Sequence, residues 1–330
     1  MNVQSDTSLD DESTIRRTRP TTGYALSLVI AGAEIDEAQL AAAIADIGAE
    51  VRSSETVEGG LEALVACSGT AQQAEVLSVV EQVDGVDSVS SSDTTFDLHV
   101  DGKIVVSPRT PLVGPDELAM AYTPGVGRVS THIAEEPSAV WRFTGRSNAV
   151  AVLSNGTAVL GLGDIGPEAA MPVMEGKAVL FKQFAGVDAY PVCVDAPTVD
   201  DVVAVGAAIA PTFGGINLED IKAPECFEIE ERLQEMLDIP IFHDDQHGTA
   251  IVVVAALLNA AKVIGRPISE LSVTIVGTGA AGVACAHLLA EIGIGDIIGV
   301  DSRGILDSSR EGLHPSKQWF VDHGNKNDHS

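Results

Sequence analysis

Hydrophobic and polar positions change their pattern near residue 103. Before that point, short alternating runs and helical runs succeed one another in the order β-α-β-β-α-β. The predicted strands cover residues 24–30, 51–57, 61–67 and 96–100, and the predicted helices cover 34–48 and 71–83. This order is typical of the split βαβ arrangement, in which two helices cover one face of a four-stranded antiparallel sheet. We therefore predict a ferredoxin-like α+β domain over residues 21–102.

The rest of the chain divides by the same patterns. Residues 1–20 are polar and lack periodicity, which predicts a disordered tail. Residues 103–114 contain two prolines and indicate a linker. From Leu118 onward, short Val/Ile/Leu strands alternate with Gly-rich turns and Ala-rich helices, as in parallel α/β layers. We predict one α/β domain over 103–265 and a further βαβ unit over 266–330.

Charge and cysteine usage narrow the class of protein. The chain has 330 residues, with 19 Lys+Arg against 48 Asp+Glu and a net charge of −29. Such a surface repels nucleic-acid phosphates and acidic membranes. The longest apolar run, residues 250–258, is too short for a membrane span, and the four cysteines form no CxxC pair. We therefore expect a cytoplasmic protein with reduced thiols that binds neither nucleic acid nor membranes.

Two segments match the pattern G-x-G-x-x-G. The second lies between a predicted strand, 272–276, and an apolar helical run, and an acid follows 19 residues after its last glycine. That context predicts binding of a dinucleotide pyrophosphate at a helix N-terminus. The residues concerned are Gly277, Gly279, Ala280, Ala281, Gly282 and Asp301. The first match, 161–166, precedes Pro167 and Pro172, which we expect to interrupt a helix, so a turn with a structural or substrate-side role is favoured.

Acidic residues follow a Gly-rich turn and a short predicted strand, 239–242. Glu219 and Asp220 end a Gly-rich turn, while Asp244 and Asp245 follow a short strand and precede a long helix that we predict over 249–264. Carboxylates converging at strand ends repel one another unless a cation holds them, and oxygen ligands favour Mg²⁺ or Mn²⁺. Solvated surface acids are the alternative for each residue singly. The i,i+4 pair His243 and His247 lacks the glutamate of a zinc-protease helix.

A lysine and a tyrosine complete the candidate chemistry. Lys177 lies in the apolar, Gly-flanked stretch MEGKAVLFK. Burial and a nearby divalent cation both disfavour an ammonium, so we expect a lowered pKa and a role as a base. Tyr122 precedes a turn in AYTPGV, where packing is the usual role of a single tyrosine.

Together, several blocks in one order resemble the malic enzyme family in its shorter prokaryotic form. The blocks are AYTPGV, SNGTAVLGLGDIG, PVMEGKAVLFKQFAG, PTFGGINLEDIKAPECF, IPIFHDDQHGTAI and IVGTGAAG. The resemblance implies a malic enzyme catalytic domain, the first part of a Rossmann domain, and NAD or NADP with Mg²⁺ or Mn²⁺ as cofactors. The implied reaction is oxidative decarboxylation of (S)-malate to pyruvate and CO₂.

The resemblance also implies roles for individual residues. The family's base falls on Lys177 and its acid on Tyr122. Its metal ligands fall on Glu219, Asp220 and Asp245, with Asp244 as a supporting carboxylate. In the family the dinucleotide domain continues beyond the point that corresponds to Ser330, so we expect a C-terminally truncated form. Relatives assemble as homodimers or larger oligomers, which we expect here as well.

Three functional alternatives stay open. The N-terminal element order resembles ACT-type regulatory domains, which bind small-molecule effectors between paired copies, but a packing module without a ligand fits the same order. A catalytically impaired chain that acts as a regulatory or metabolite-sensing subunit is the second alternative. The third is malolactic conversion, in which bound NAD is reused and lactate forms. Asp301 favours NAD through its ribose hydroxyls, yet an acid at this place is compatible with NADP.

Overall fold

The computed structural model describes residues 23–159 and 161–326, and the chain forms two units, Met1–Lys103 and Ile104–Ser330. The tail predicted over residues 1–20 lies outside the described residues. In the first unit the elements are strands β1 (Leu26–Ala31), β2 (Glu50–Val57), β3 (Gly60–Ala66) and β4 (Ser88–Asp93), and helices α1 (Glu37–Asp46), α2 (Thr70–Val80) and α3 (Thr94–His99).

The first unit has the predicted order of its first five elements. Its sheet is antiparallel, in the order β2-β3-β1-β4. The core lies between this sheet and α1 and α2, where apolar side chains such as Leu28, Ile30, Ile44 and Val76 are fully buried. The fold therefore follows from alternating strands and two helices that each have an apolar stripe.

The predicted fourth strand at 96–100 is wrong. The strand instead covers Ser88–Asp93 and pairs antiparallel with β1, and residues 94–99 form α3. The strand is an edge strand in which Val89 packs against the core while its serines are exposed, so it lacks the alternation that the prediction sought. The Asp93 side chain accepts a hydrogen bond from Thr95 N, which caps the helix, and Phe96 is 75% exposed.

The second unit opens with helices and a parallel sheet, as predicted from Leu118 onward. The segment 104–114 has no helix or strand. The elements are α4 (Pro115–Ala121), α5 (Gly125–Glu135), α6 (Val140–Phe143), β5 (Ala149–Ser154), α7 (Pro167–Leu180), β6 (Asp188–Cys193), α8 (Val199–Ile209), β7 (Gly215–Leu218), α9 (Glu225–Met236), β8 (Ile241–His243) and α10 (Asp244–Ile264). The sheet order is β6-β5-β7-β8, and every pairing is parallel.

Helices cover both faces of this sheet. Ala151 and Leu153 of β5 pack in a core with α8, α9 and β7, whereas Val152 packs against α7 through Met174. A strand buried on both faces has a continuous apolar sequence, which AVAVLS shows. The carboxyl ends of parallel strands meet at one edge, and the polar segments that follow β5, β7 and β8 start there.

The two prolines after the first Gly-rich segment do not interrupt the helix, contrary to our expectation. Pro167 is its first residue, where a missing N–H costs nothing, and Pro172 lies in its second turn. The preceding glycines make a turn in which Val159 and Gly163 form a bridge. Gly156 approaches Gly166 so closely that a Cβ at 156 would lie 2.2 Å from the Gly166 carbonyl oxygen.

The remaining elements form a second sheet. They are β9 (Ser272–Val276), α11 (Ala280–Glu291), β10 (Asp296–Asp301), β11 (Gly304–Ile305) and α12 (Pro315–His323). Strands β9 and β10 are parallel, and β11 is antiparallel to β10. The predicted strand 272–276 has the bounds of β9, and Phe320 and Leu289 are fully buried in the core beside it.

Helix α10 begins five residues earlier than the predicted start at Thr249. It includes the polar residues of HDDQHG after His243, because the first turn of a helix accommodates acidic side chains. With 21 residues, it is long and apolar enough by length and composition to cross a membrane, a test that core helices of soluble proteins also pass.

Candidate active site

The first part of the site is the carboxyl end of β7. All four residues of β7 are buried, and the chain leaves the sheet through Glu219 and Asp220, which are also buried. Asp220 has a φ of 52°, an uncommon value for a residue with a side chain. Its carbonyl oxygen accepts a hydrogen bond from Ala158 N, and Lys222 N donates to Thr157 Oγ1. The loop after β5 therefore holds the backbone at Asp220 and just beyond it in place.

The second part is the junction of β8 and α10. His243 ends the strand, and Asp244 and Asp245 are the first two residues of the helix. Asp220 N donates a hydrogen bond of 3.0 Å to Asp245 Oδ2, which joins the two strand ends. One turn later, a Cβ at Gly248 would lie 2.5 Å from Asp244 Oδ1, so a larger residue there requires the Asp244 side chain to move.

Glu219, Asp220 and Asp245 come together as a carboxylate cluster. Each offers one oxygen, and these oxygens lie within 4.8 Å of one another. Three carboxylate oxygens at this spacing, without a cysteine or histidine ligand, fit a hard divalent cation such as Mg²⁺ or Mn²⁺. The residues present therefore suit the metal that the sequence suggests.

Lys177 reaches this cluster from α7. Its Nζ donates a 2.7 Å hydrogen bond to Asp244 Oδ2 and lies 3.0 Å from Glu219 Oε1. Met174, one turn earlier on the same helix, is fully buried and anchors this part of α7. The structure thus brings Lys177 together with all four acids named from the sequence.

The protein residues alone do not produce the lowered Lys177 pKa that we expect from burial together with a nearby divalent cation. Burial by itself lowers the pKa, but the hydrogen bonds and charges of Asp244 and Glu219 outweigh it, so the Lys177 pKa is raised. Burial raises the pKa of Glu219 to about 7, although Lys177 and Asn217 act in the opposite direction. The sequence argument missed that two carboxylates within 3.0 Å decide the charge of this lysine.

Tyr122 lies apart from these contacts in the described residues. It is the C-cap residue directly after α4 and is 68% exposed. No hydrogen bond in the described part of the chain joins its hydroxyl to Lys177 or to the four acids. Its predicted role as an acid therefore stays a prediction.

The glycine-rich loop between β9 and α11 has the geometry of a phosphate cradle. A Cβ at Gly282 would lie 2.0 Å from the Gly277 carbonyl oxygen, so helix and strand pack closely there. A Cβ at Gly279, by contrast, meets open space. The Thr278 hydroxyl on the same loop is buried, and it has no hydrogen-bond partner among the residues that the structure describes. Open backbone and an unsatisfied hydroxyl at the start of a 12-residue helix fit a dinucleotide pyrophosphate.

Asp301 ends β10, as the ribose-binding acid of such a unit should. Its side chain, 6% exposed, pairs with Arg310 Nη2 and Lys317 Nζ, each at 3.0 Å from Oδ2. Hydrogen bonds from these two cations hold the pKa of Asp301 far below its usual range. Ala280 and Ala281, the other predicted cofactor-binding residues, form the first turn of α11.

Comparisons with known proteins show which family the chain belongs to. The family model for "Malic enzyme, N-terminal domain" matches residues 103–234, and that for "Malic enzyme, NAD binding domain" matches residues 246–330. The chain belongs to the malic enzyme family. Lys177, Glu219 and Asp220 lie in the first matched region, whereas the junction residues 243–245 lie between the two matches.

Named members of the malic enzyme family are similar over much of this chain. An NAD-dependent malic enzyme of Geobacillus stearothermophilus is 50% identical over 273 residues, which are 83% of this chain and 57% of that protein. An NADP-dependent malic enzyme of Salmonella typhimurium is 52% identical over 66% of this chain and 29% of that protein. The crystal structure of an NAD-dependent malic enzyme of Thermotoga maritima has a TM-score of 0.69 and 43% identity, covering 71% of this chain and 63% of that one. The chain thus spans less than two thirds of each relative.

Several residues of the site carried no recognisable signal in the sequence. Thr278 was only the variable position of a glycine motif, and Glu230, which contacts the β8–α10 junction, is one of several acids in an acidic helix. Asn217 Nδ2 donates a 2.8 Å hydrogen bond to Glu219 Oε2, but the sequence places it only at the end of a Gly-rich turn. Spacing from a neighbouring motif was the only signal available for these residues.

Proposed function

We propose that this chain carries the malate-oxidising site of a malic enzyme: divalent-cation-dependent oxidative decarboxylation of (S)-malate to pyruvate and CO₂, with reduction of NAD or NADP. The observation that carries the proposal is the contact of Lys177 with Glu219 and Asp244 beside three carboxylate oxygens within 4.8 Å of one another. A dinucleotide cradle in the same unit supports it.

Each residue of the site has a separate role in the proposed reaction. Glu219, Asp220 and Asp245 hold the divalent cation, and Asp244 orients Lys177 from the side. When bound, the cation supplies Lewis-acid polarisation and the dinucleotide accepts the hydride from C2 of malate. With the carboxylates that raise its pKa engaged by a cation, Lys177 would take the proton of the C2 hydroxyl as the neutral amine, and Tyr122 would return a proton to C3 after CO₂ has left.

The electrostatics of the site suit an anionic substrate only with the cation in place. Four carboxylates surround one lysine, so a dianion such as malate meets net repulsion from the residues alone. A divalent cation would offset two of these negative charges and offer a positive charge to the substrate oxygens at short range. Its requirement for activity is therefore part of the proposal.

Different residues of the dinucleotide site support NAD and NADP as cofactors. The Asp301 carboxylate at the end of β10 favours the ribose hydroxyls of NAD, while Arg310 and Lys317 beside it offer positive charge to the additional phosphate of NADP. We keep both cofactors in the proposal. Gly277, Gly279, Ala280, Ala281 and Gly282 provide the backbone that approaches the pyrophosphate.

The finer assignments follow from the domain pattern. We propose an ACT-type regulatory domain over residues 21–102, a catalytic domain over 103–265 and part of the NAD(P)-binding domain over 266–330. The antiparallel order β2-β3-β1-β4 with two helices on one face supports the first of these. We further propose a small-molecule effector for that domain, a homodimer or larger assembly, and a cytoplasmic location.

The test is a direct assay of the purified chain. It is incubated with malate, Mn²⁺ and NAD or NADP, and absorbance of the reduced cofactor is followed beside a Lys177→Ala control. We expect cofactor reduction that requires Mn²⁺ and falls by about 10²–10⁴-fold in the control. No reduction above the control contradicts the proposed activity for this chain.

Product analysis and calorimetry separate the alternatives. Pyruvate as the product supports the proposal, whereas lactate without net cofactor reduction identifies malolactic conversion. A calorimetric screen of amino acids and acyl-CoA esters tests the effector site. Binding without turnover would instead favour a regulatory subunit.

A further inference from the structure

Glu230 of α9 is a buried carboxylate that lies outside the carboxylate cluster and contacts the segment that carries two of its acids. The residue is 6% exposed. Its Oε1 accepts a 3.0 Å hydrogen bond from His243 N, and its Oε2 accepts a 2.9 Å hydrogen bond from Gln246 Nε2. His247 Nε2 lies 2.8 and 3.0 Å from the two oxygens. A buried carboxylate with this many hydrogen-bond partners holds those partners in place, and here the partners form the start of α10.

The neighbouring turn of α9 contacts the same junction from the strand side. Gln234 Nε2 donates a 3.1 Å hydrogen bond to the carbonyl oxygen of Ile241 in β8 and lies 3.4 Å from Glu230 Oε1. Two residues one turn apart on α9 therefore hold both the strand and the helix that meet at His243.

The start of α10 lacks the usual local cap. His243 occupies the N-cap position, and its side chain makes no capping hydrogen bond. In a capping box, a Glu or Gln three residues into the helix bonds back to the N-cap N–H. Here that residue is Gln246, whose side chain binds Glu230 instead, and Glu230 accepts the His243 N–H itself. A residue 13 positions away thus replaces the local cap.

Glu230 contacts the residue before Asp244 and the two residues after Asp245. Asp245 Oδ2 must reach Asp220 N at 3.0 Å, and Asp244 Oδ2 must reach Lys177 Nζ at 2.7 Å. Both side chains are short, so their reach depends on where the first turn of α10 lies. We propose that Glu230 is a positioning residue, which fixes this turn so that Asp245 completes the cation site and Asp244 orients Lys177. The inference rests on the proposed function for the identity of the cation.

The experiment measures Mn²⁺ affinity directly, by the electron paramagnetic resonance signal of free Mn²⁺, in the whole chain and in Glu230→Gln. The amide keeps the size of the carboxylate but turns an N–H₂ group towards donors. We expect the dissociation constant for Mn²⁺ to rise about 10–100-fold, as for other partners that orient metal ligands. The matched control is Glu235→Gln, which changes the same charge at an exposed position of the same helix, and should bind Mn²⁺ as the unmodified chain does.

A second binding constant separates positioning from general loss of structure. The dissociation constant for NAD, whose loop Glu230 does not touch, should stay within about twofold. Equal Mn²⁺ affinity in Glu230→Gln and the unmodified chain would overturn the positioning role and leave the proposed function intact. Equal weakening of Mn²⁺ and NAD binding would overturn it as well, because it would reveal general destabilisation. If the unmodified chain binds no Mn²⁺, the cation site itself fails and the positioning role with it.

A milder substitution covers the case in which Glu230→Gln does not fold. His247→Leu removes one partner of Glu230 at a half-exposed position and leaves its bonds to His243 N and Gln246. We expect a smaller rise of the Mn²⁺ dissociation constant, about threefold, from the loss of one of several orienting bonds. No rise in this variant would contradict the proposal.

Discussion

The two units of the chain differ in what they bury. Among the described residues, the first unit buries one polar side chain, Gln73, beside a core of Leu, Ile and Val. The second unit buries eleven, namely Ser154, Asn155, Asn217, Glu219, Asp220, Glu230, His243, Gln246, Thr278, Asp307 and Asn325. Most of these lie in or shortly after strands β5, β7, β8 and β9.

This difference shows where buried polar groups lower the stability of the fold. A buried polar group costs free energy unless it is hydrogen-bonded, and a buried charge costs more. The first unit largely avoids that cost. The second unit carries most of it near the strand ends, as the proposed binding site for a cation and a charged substrate requires.

The largest effects we expect come from core substitutions that contrast the two units. Ile44→Ala in α1 and Met174→Ala in α7 each remove a fully buried side chain and should lower the free energy of unfolding by about 2–5 kcal/mol, measured by urea titration. Only Met174→Ala should also weaken Mn²⁺ binding, because it loosens the turn that presents Lys177. Loss of Mn²⁺ binding in Ile44→Ala would break the comparison.

Two glycines of the dinucleotide loop offer a matched pair within the second unit. In Gly282→Ala the new Cβ would lie 2.0 Å from the Gly277 carbonyl oxygen. This substitution should lower the free energy of unfolding by about 1–3 kcal/mol. Gly279→Ala meets open space, so stability should hold while the dissociation constant for NAD rises. Unfolding curves and NAD titrations check both. Unchanged NAD affinity in Gly279→Ala would show that the cofactor does not approach this backbone.

The smallest effect concerns pH. Burial raises the pKa of Glu219 from 4.5 to about 7, and only the ionised form binds a cation. The dissociation constant for Mn²⁺ should therefore rise about tenfold between pH 8 and pH 6. For the metal-free protein the sign is opposite to that of a paired acid: the contribution of Glu219 to stability falls as pH rises from 4.5 to 7. Mn²⁺ affinity that is constant over this range would contradict the assignment.

Elements with a strong local pattern could be predicted from the sequence. Strand β9 follows from an apolar run that ends at Gly277, and the cluster of Glu219, Asp220 and Asp245 follows from acids placed after parallel strands. In both cases neighbouring residues carry the information, through periodicity and through the common edge of a parallel sheet.

Elements decided by distant contacts could not be predicted. The serine-rich strand β4 is set by its pairing with β1, and the charge of Lys177 by Asp244, 67 positions away. The role of Glu230 depends on a helix start 13 positions away. In each case the deciding partner is far along the chain, where neither propensity nor spacing reaches.

The central claim is that Glu219, Asp220 and Asp245 hold one divalent cation beside Lys177. Titration of the chain with Mn²⁺ at pH 8, followed by electron paramagnetic resonance, tests it in Asp245→Asn and in Asp238→Asn, an exposed acid before β8. The account predicts one bound Mn²⁺ per chain, affinity reduced at least about 100-fold in Asp245→Asn, and unchanged affinity in Asp238→Asn. Equal affinity in the two variants would contradict it.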